Sequence, residues 1–405
     1  MNDRHNTASL LAAASIAAVL ATATISWFDG SRAQTPTAPA PATVQPATSS
    51  PAGSLPLTQI PFYAEWAASP HARRDAEPFN HWNKEGAIPV ACARCHSTPG
   101  FLDYLGADGT APGAVNHPAP VGTVITCIAC HNDKTLALTS VTFPSGLKAE
   151  NLGAEARCMT CHQGVESEAS VDKAVAGIAD DTVGPKLTFI NVHYRAAGAT
   201  LYGSQARGAY EYPGKTYAGR YVHRAPYNRC TSCHDLHTVE VKVSDCAACH
   251  KEVTDKRSLH LIRVSKADYD GNGDSKEGIA QEVELLRGRL LGAIMDYAKT
   301  ISNKPIVYDV HAYPYFFIDS NSNGAADKDE AKFPNKYNAW TPRLLKAAYN
   351  YQFVTKDPGA YAHNPTYTLQ ILHDSLSDLG AKVTVDLAKA KRPEVPRVMA
   401  GRRRR

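Results

Sequence analysis

CTSCHDLHTVEVKVSDCAACH, residues 230–250, contains the pattern C-x-x-C-H twice. The pattern occurs three more times upstream, and the five copies use all ten cysteines of the 405-residue chain. In such a motif two thiols bond to the vinyl groups of a c-type haem, and the histidine becomes the proximal iron ligand. We number the copies motif 1 (Cys92, Cys95, His96), motif 2 (Cys127, Cys130, His131), motif 3 (Cys158, Cys161, His162), motif 4 (Cys230, Cys233, His234) and motif 5 (Cys246, Cys249, His250).

Other uses of paired cysteines explain the pattern less well. A redox dithiol or a zinc site does not require a histidine directly after every second cysteine. A disulfide framework would not produce the repeated spacing. The motifs therefore predict five covalently bound haem c groups, and they leave no cysteine for a disulfide or a catalytic thiol.

The spacing of the motifs indicates how the chain folds. All five lie between residues 92 and 250, which gives each haem too few residues for a conventional protein core. We therefore predict a mainly α fold with much irregular structure, in which haem groups form the core of a pentahaem domain at residues 55–255. Residues 256–400 have no motif, and we expect a helical C-terminal region there.

Three helices and one strand are predicted from local patterns. Residues 277–299 have apolar side chains at helical spacing. Thr341-Pro342 and Asn364-Pro365 are typical of helix starts, and Gly380 should end the last helix. Residues 239–243, VEVKV, alternate as a strand would.

The N-terminal segment indicates export. Residues 1–33 combine a basic start, an apolar run and a small-residue cleavage site, as a signal peptide does. The alternative is an uncleaved membrane anchor, because the apolar run is about long enough to span a bilayer. Residues 34–54 are rich in Pro, Ala, Thr and Ser and should form an extended tether. Either interpretation puts the protein in the periplasm or at the cell surface, or releases it from the cell.

The basic composition does not predict a nucleic-acid partner. The polypeptide has a formal charge of +4, but each ferric haem adds about −1 through its two propionates. Five haems would bring the oxidised protein to roughly −1. The basic tail at residues 401–405 is either a solvated end or a docking site for an acidic partner.

Composition also restricts the distal iron ligands. Only four methionines occur, and none is well placed, so histidine is the expected ligand on both sides of each iron. His237 is too close to His234 to cross its own haem, but it could reach a neighbouring one. His117 could be a ligand or a loop residue, and His363 is a reserve candidate. Ten histidines are available: His71, His81, His117, His193, His223, His237, His260, His311, His363 and His373.

Three long phrases resemble bacterial multihaem c-type cytochromes of the polyhaem, membrane-associated or secreted type. They are residues 62–102, 191–243 and 309–364, and with the motifs between them they cover most of residues 60–380. Because they lie within the matching phrases, the resemblance implies five distal ligands: His71, His81, His193, His223 and His237.

Two acidic loops are candidates for calcium. DSNSNGAADKDE, residues 319–330, fits an EF-hand loop with ligands Asp319, Asn321, Asn323, Asp327 and Glu330 and the carbonyl of Ala325. A second loop has the first half of the pattern only, at Asp268, Asp270, Asn272 and Asp274. Its twelfth position is Ile279, so Glu277 or Glu282 would have to substitute. Calcium in either loop would be structural.

These features predict a low-potential electron carrier between a membrane-side donor and a periplasmic or extracellular acceptor. The donor and acceptor would be redox proteins or a membrane quinol-linked complex. One alternative is a nitrite or hydroxylamine reductase with one open haem, for which Arg207, Tyr217 and Arg220 could line a pocket. All five motifs keep histidine, however, whereas pentahaem nitrite reductases use lysine at the catalytic haem. A second alternative is a subunit of an extracellular haem filament.

Overall fold

The computed structural model describes residues 57–395, in which short helices and loops carry the motifs. The predicted signal peptide, tether and basic tail lie outside these residues. The helices are α1 (Tyr63–Ala68), α2 (Glu77–Asn80), α3 (Val90–His96), α4 (Thr98–Tyr104), α5 (Cys127–Cys130), α6 (Asp133–Leu136), α7 (Glu155–Met159), α8 (Glu168–Val175), α9 (Ala197–Tyr202), α10 (Cys230–Cys233), α11 (Val243–Ala247), α12 (Ile279–Thr300), α13 (Pro342–Lys356), α14 (Ala360–His363) and α15 (Pro365–Leu379).

Strands are few among the described residues. Three antiparallel pairs form: β1 (Ala87–Ile88) with β2 (Ala119–Pro120), β3 (Val141–Thr142) with β4 (Lys148–Ala149), and β5 (Ile306–Tyr308) with β6 (Phe316–Ile318). Single 3₁₀ turns occur at Leu57–Gln59, Pro70–Ala72, Gly203–Gln205, Ser258–Leu261 and Phe333–Asn335. The predicted mainly α fold with much irregular structure is confirmed in this form.

The predicted helix starts are confirmed by their caps. The Thr341 hydroxyl accepts a hydrogen bond from the backbone N of Leu344 at the start of α13. The Asn364 side chain does the same for Tyr367 at the start of α15, and Gly380 follows the last residue of that helix. Proline is the first residue of both helices, where its missing N–H costs nothing.

The predicted strand at residues 239–243 is wrong. Val239 adopts a left-handed φ of 56°, which interrupts an extended chain, and only an isolated bridge joins Val241 to His234. Val243 already begins α11, the helix that carries Cys246. The alternating valines therefore belong to a tight turn between motifs 4 and 5.

The main hydrophobic core lies among the long C-terminal helices. Trp340, Tyr349 and Tyr367 are fully buried between α12, α13 and α15. The cluster runs from Val141 to Leu379 and so contains residues on both sides of the predicted domain boundary at 255 and 256. The division into a pentahaem domain and a helical region stays a prediction.

Buried side-chain amides join this core to the tyrosine-rich segment between motifs 3 and 4. Gln352 accepts a hydrogen bond from the backbone N of Val192 at 2.9 Å. Asn350 accepts from the backbone N of Tyr210 at 2.7 Å and donates to its carbonyl at 3.0 Å. Because a buried amide satisfies buried backbone groups in each case, the position of this segment depends on α13.

Arg343 is the centre of an ion-pair network at the start of α13. Its guanidinium donates to Asp181 at 2.7 Å and also to the side chain and backbone carbonyl of Asp378. Burial alone would raise the pKa of the Asp181 carboxyl, but hydrogen bonds from Arg343, Tyr297 and Lys382 hold it well below the usual range. The network therefore ties the 180–181 loop to α13 and α15.

Candidate haem-binding sites

Each motif forms one turn of helix. In motifs 2 to 5 the histidine N–H donates to the carbonyl of the first cysteine at 2.8–3.0 Å. In motif 1 all five residues lie inside α3. Side chains four residues apart share one face of a helix, so the first cysteine and the histidine of each motif point to the same side.

An oxygen atom lies beside Nδ1 in three motif histidines, and in two of them, His96 and His234, it forms a hydrogen bond. His96 Nδ1 lies 2.8 Å from the carbonyl of Pro78, and His234 Nδ1 lies 3.1 Å from that of Val239. His250 Nδ1 is 3.5 Å from a carboxylate oxygen of Glu252. An acceptor on Nδ1 leaves Nε2 as the nitrogen available to a metal, which is the usual arrangement around ligating histidines.

A second histidine faces every motif histidine. Two imidazoles on opposite sides of one iron should have ring centroids about 6 Å apart, because each metal–nitrogen bond is about 2.0 Å. The five separations, 5.7–6.5 Å, fit this requirement. The pairs are His96 with His193 (5.7 Å), His131 with His237 (6.3 Å), His162 with His71 (6.2 Å), His234 with His363 (6.5 Å) and His250 with His223 (6.3 Å).

In two of the pairs one histidine is in the neutral form that binds a metal. Burial, with a smaller effect of neighbouring His71, lowers the pKa of His162 to about 4. Burial, with smaller effects of His96 and Lys356, lowers the pKa of His193 to about 4. Both imidazoles are therefore neutral at pH 7, which is the form that binds a metal.

Backbone strain also marks His193. Its φ of 74° lies in the left-handed region, which costs a residue with a β-carbon about 1–3 kcal/mol. The Asn191 side chain accepts from the His193 N–H, and α13 holds the residues on both sides through Gln352 and the carbonyl of Lys356. The C-terminal helices thus fix a histidine that faces motif 1.

Four of the five histidines implied by the resemblance lie in such pairs: His71, His193, His223 and His237. His81 does not. Its ring is more than half exposed, its Nδ1 lies 2.7 Å from Glu77, and its edge contacts Trp82 rather than a motif histidine.

His363 occupies the corresponding position opposite His234. It lies at the end of α14, and its Nδ1 is 2.8 and 3.0 Å from the two carboxylate oxygens of buried Asp357. Burial alone would raise the pKa of Asp357, but the charge of His363 and hydrogen bonds from His363, Thr200 and Gly359 hold it below its usual value. Sequence spacing gave no direct sign of this pairing, since about 130 residues separate His234 from His363. The acidic residue shortly before the histidine was the only local signal.

The remaining candidate histidines do not face a motif histidine among the described residues. His373 lies beside Asp374, His260 packs on Tyr361, and the backbone N of His311 donates to Asp309. His117 lies near Asp103 and Asp108. Hydrogen bonds from Asn116, Thr110 and the backbone of His117 already occupy both oxygens of Asp103.

Motif 3 lies at the centre of the motif region, with direct contacts to three others. Cys161 Sγ of motif 3 lies 3.8 Å from the Arg94 carbonyl in motif 1. Two residues just before motif 3 make the other contacts. Arg157 Nη1 donates to the Cys130 carbonyl in motif 2 at 3.1 Å, and Glu155 Oε1 accepts from the backbone N of Cys230 in motif 4 at 3.0 Å. Motif 5 joins the group through Lys242, whose N–H donates to the Cys233 carbonyl at 2.8 Å and whose carbonyl lies 3.7 Å from Cys246 Sγ. Spatial order therefore differs from sequence order.

The predicted reductase pocket residues do not converge. Arg207 pairs with Glu168, and Tyr217 is buried with its hydroxyl accepting from the backbone N of Tyr212. Arg220 lines a different cavity of about 470 Å³, where it pairs with Glu155 at 3.6 Å.

The loop at residues 319–330 brings several of the predicted calcium ligands together by hydrogen bonds. Asp319 and Glu330 are almost fully buried, and Asp319 accepts from the backbone N of Asn323 and Gly324. The side-chain amides of Asn321 and Asn323 both donate to the Asp327 carboxylate, at 2.8 and 2.9 Å. Glu330 Oε1 accepts from the backbone, but its buried Oε2 has no hydrogen-bond partner. A buried carboxylate oxygen without a hydrogen-bond partner is available to a cation such as calcium.

This loop matches an EF-hand in its backbone but differs from it in its flanking elements. Gly324 has a φ of 76°, as the sixth position of such a loop requires. The flanking elements are strand β6 and a 3₁₀ turn, however, instead of two helices. The resemblance is therefore confined to the loop.

The second acidic loop gathers more carboxylates than its pattern indicates. Asp270 is fully buried, and Asn272 joins it to Glu277. Burial, with smaller effects of Glu277, Glu282 and Asp268, raises the pKa of Asp270 to about 6. Asp268 accepts from Gly271 and Gly273, whereas Asp274 remains exposed. Both residues named as substitutes for the twelfth ligand thus lie near Asp270.

Comparisons with known proteins indicate the class of protein to which this chain is similar. Residues 77–163 match the family described as cytochrome c7 and related cytochrome c. The chain is 26% identical to the C-type polyheme cytochrome OmcC of Geobacter sulfurreducens (strain ATCC 51573 / DSM 12127 / PCA), over 74% of this chain and 44% of that protein. It is 24% identical to OmcB of strain DL-1 / KN400, over 74% of this chain and 45% of that protein. No solved structure is significantly similar.

These matches confirm the resemblance to bacterial multihaem c-type cytochromes. The chain spans slightly less than half the length of the curated relatives it matches. Between residues 57 and 395, no helix has the length and apolar character needed to cross a bilayer.

Proposed function

We propose that the chain is an electron carrier that holds five haem c groups, each between two histidines. The observation that carries this proposal is the set of five facing histidine pairs, one for each motif. Bound haem would supply one-electron chemistry, while the protein supplies attachment, ligation and electrostatics.

The proposed distal ligands are His71, His193, His223, His237 and His363. The first four follow the resemblance as well as the geometry. His363 replaces His81, because it is buried, faces His234 and has a carboxylate on its Nδ1, as ligating histidines usually do.

Motif contacts support a branched arrangement for the attached groups. Motif 3 would be a junction with motifs 1, 2 and 4 as neighbours, and motif 5 would lie beyond motif 4. Electrons entering near motif 1 would then pass through motif 3 to motif 4. Motif 2 would also neighbour motif 4, because His237, which faces His131, follows His234 by three residues.

An electron carrier explains the pairs better than a reductase does. A catalytic iron needs one position open for substrate, whereas every motif histidine here faces a second histidine. We further propose export to the periplasm or cell surface and redox proteins as donor and acceptor.

Calcium at residues 319–330 is proposed as a structural ion. Oxygens of Asp319, Asp327 and Glu330 would hold it together with the backbone carbonyl of Ala325. It would stabilise the loop after β6. The second acidic loop, around Asp270, is proposed as a further calcium site, with Glu277 completing its carboxylates. Glu282 is already paired with Arg263 and the backbone N of Tyr269.

Ligand binding by the reduced protein tests the proposed function. We expect the spectrum of the exported, haem-loaded protein to stay unchanged when nitrite, hydroxylamine or carbon monoxide is added, since imidazole occupies both axial positions. A new absorption band from about one haem in five would indicate an open iron and would contradict the proposal.

A further inference from the structure

The end of α13 places two opposite charges next to each other in sequence and beside two different distal ligands. Lys356 is 2% exposed and Asp357 is 3% exposed. Lys356 lies close enough to affect His193, which faces motif 1, and Asp357 contacts His363, which faces motif 4. The proposal below rests on the proposed function, because it concerns irons at these two motifs.

Lys356 lies in an aromatic cage. Its Nζ is 3.5 Å from the ring centroid of Tyr194 and 3.9 Å from that of Tyr315, and it donates to the carbonyl of Val310 at 3.1 Å. The Tyr194 ring centroid is in turn 5.9 Å from that of His193. Among the described residues no carboxylate forms a salt bridge with Lys356, although Asp309 lies close enough to favour its charged form. Burial lowers its pKa to about 8, so it remains a cation at pH 7.

Asp357 contacts its ligand directly. Both oxygens lie within 3.0 Å of His363 Nδ1, so the carboxylate accepts a hydrogen bond from the Nδ1–H and increases the basicity of the ring. Gly359 and Thr200 also donate to the carboxylate, which keeps it in place.

We propose that Lys356 and Asp357 separate the reduction potentials of the irons at motifs 1 and 4. A nearby cation favours the reduced iron, which carries one positive charge fewer, and so raises the potential at motif 1. A carboxylate on the ligand favours the oxidised iron and lowers the potential at motif 4. Both are positioning residues, which act through the ligands and the local field without binding the iron.

The size of each effect follows from the charge separation. At about 10 Å and an effective dielectric constant near 20, one unit charge changes a redox equilibrium by on the order of tenfold. Tenfold is about 59 mV for a one-electron step. The two charges therefore favour electron localisation at motif 1 over motif 4.

The test is a spectroelectrochemical titration of the exported, haem-loaded protein at pH 7. Lys356→Met should move about one fifth of the titration to lower potential by about 59 mV, and Asp357→Asn should move about one fifth to higher potential. Lys356→Arg keeps the charge and should restore the wild-type curve. Lys346→Met removes another cation of α13, one that pairs with Asp180, and should leave the curve unchanged.

The spin state and haem content of the same samples distinguish a failure of this inference from a failure of the proposed function. Five low-spin haems with a Lys356→Met curve that superimposes on wild type would overturn this inference while leaving the proposed function intact. Fewer haems or an open iron in wild type would contradict the proposed function itself. If Lys356→Met does not accumulate, Lys356→Gln provides the same comparison, because its amide can still donate to Val310.

Discussion

His363 provides the sharpest test of the ligand assignment, because sequence and structure disagree there. Replacing His363 with alanine removes the imidazole that faces His234 and leaves Asp357 without its partner. One of five irons would lose its sixth ligand, so we expect about one fifth of the haem to become high-spin. Electron paramagnetic resonance of the ferric protein measures that fraction directly, and added imidazole should reverse the change.

His81→Ala is the matched control. His81 is exposed and contacts Glu77 and Trp82, so its removal should leave all five haems low-spin. Refutation would be the opposite pattern, with a high-spin fraction in His81→Ala and an unchanged spectrum in His363→Ala. Such a result would restore the ligand set implied by the resemblance alone.

Three further predictions concern different parts of the molecule. The rings of the motif 1 pair are nearly perpendicular (79°), and those of the motif 2 pair are nearly parallel (8°). Parallel rings donate to the same iron d orbital and strongly split the two π-type d orbitals of the iron. Motif 2 should therefore give a rhombic low-spin electron paramagnetic resonance signal, and motif 1 a highly anisotropic one. Five identical signals would contradict this prediction. Calcium at about 100 times its Kd should stabilise the wild type by about 2.7 kcal/mol in thermal unfolding. Glu330→Gln should lose most of this gain in stability, whereas Asp329→Asn, at an exposed position, should keep it. Equal gains in both variants would exclude residues 319–330 as the calcium site. Arg343→Met should lower the free energy of unfolding by about 2 kcal/mol in denaturant titrations at pH 7. Because the folded-state pKa of Asp181 is depressed, the part of this difference that comes from Asp181 is complete above about pH 4 and should narrow as the pH falls further. A difference that grows in acid would contradict the assignment.

Local sequence patterns predicted the elements that depend on neighbouring residues. Thr341-Pro342 and Asn364-Pro365 start helices because their side chains cap backbone groups only three residues away. The motif turns follow for the same reason, since their cysteines and histidine lie within one helical turn. The failure at residues 239–243 has a local cause too, because the left-handed φ of Val239 is not visible in an alternating pattern.

The histidine pairs depend on tertiary structure and could not be derived from spacing. His363 reaches His234 only because α14 packs against α9 and α15, far from motif 4 in sequence. His193 depends on Gln352 of α13 in the same way. The C-terminal helices, which have no haem motif, thus supply one proposed ligand and position another.

Haem content and spin state of the exported protein test the central claim most directly. Mass spectrometry should find the polypeptide with five haem groups attached, and the ferric resonance signals should integrate to five low-spin irons per chain. Fewer than five attached haems, or a high-spin fraction near one in five in the wild-type protein, would contradict ligation of every iron by two histidines.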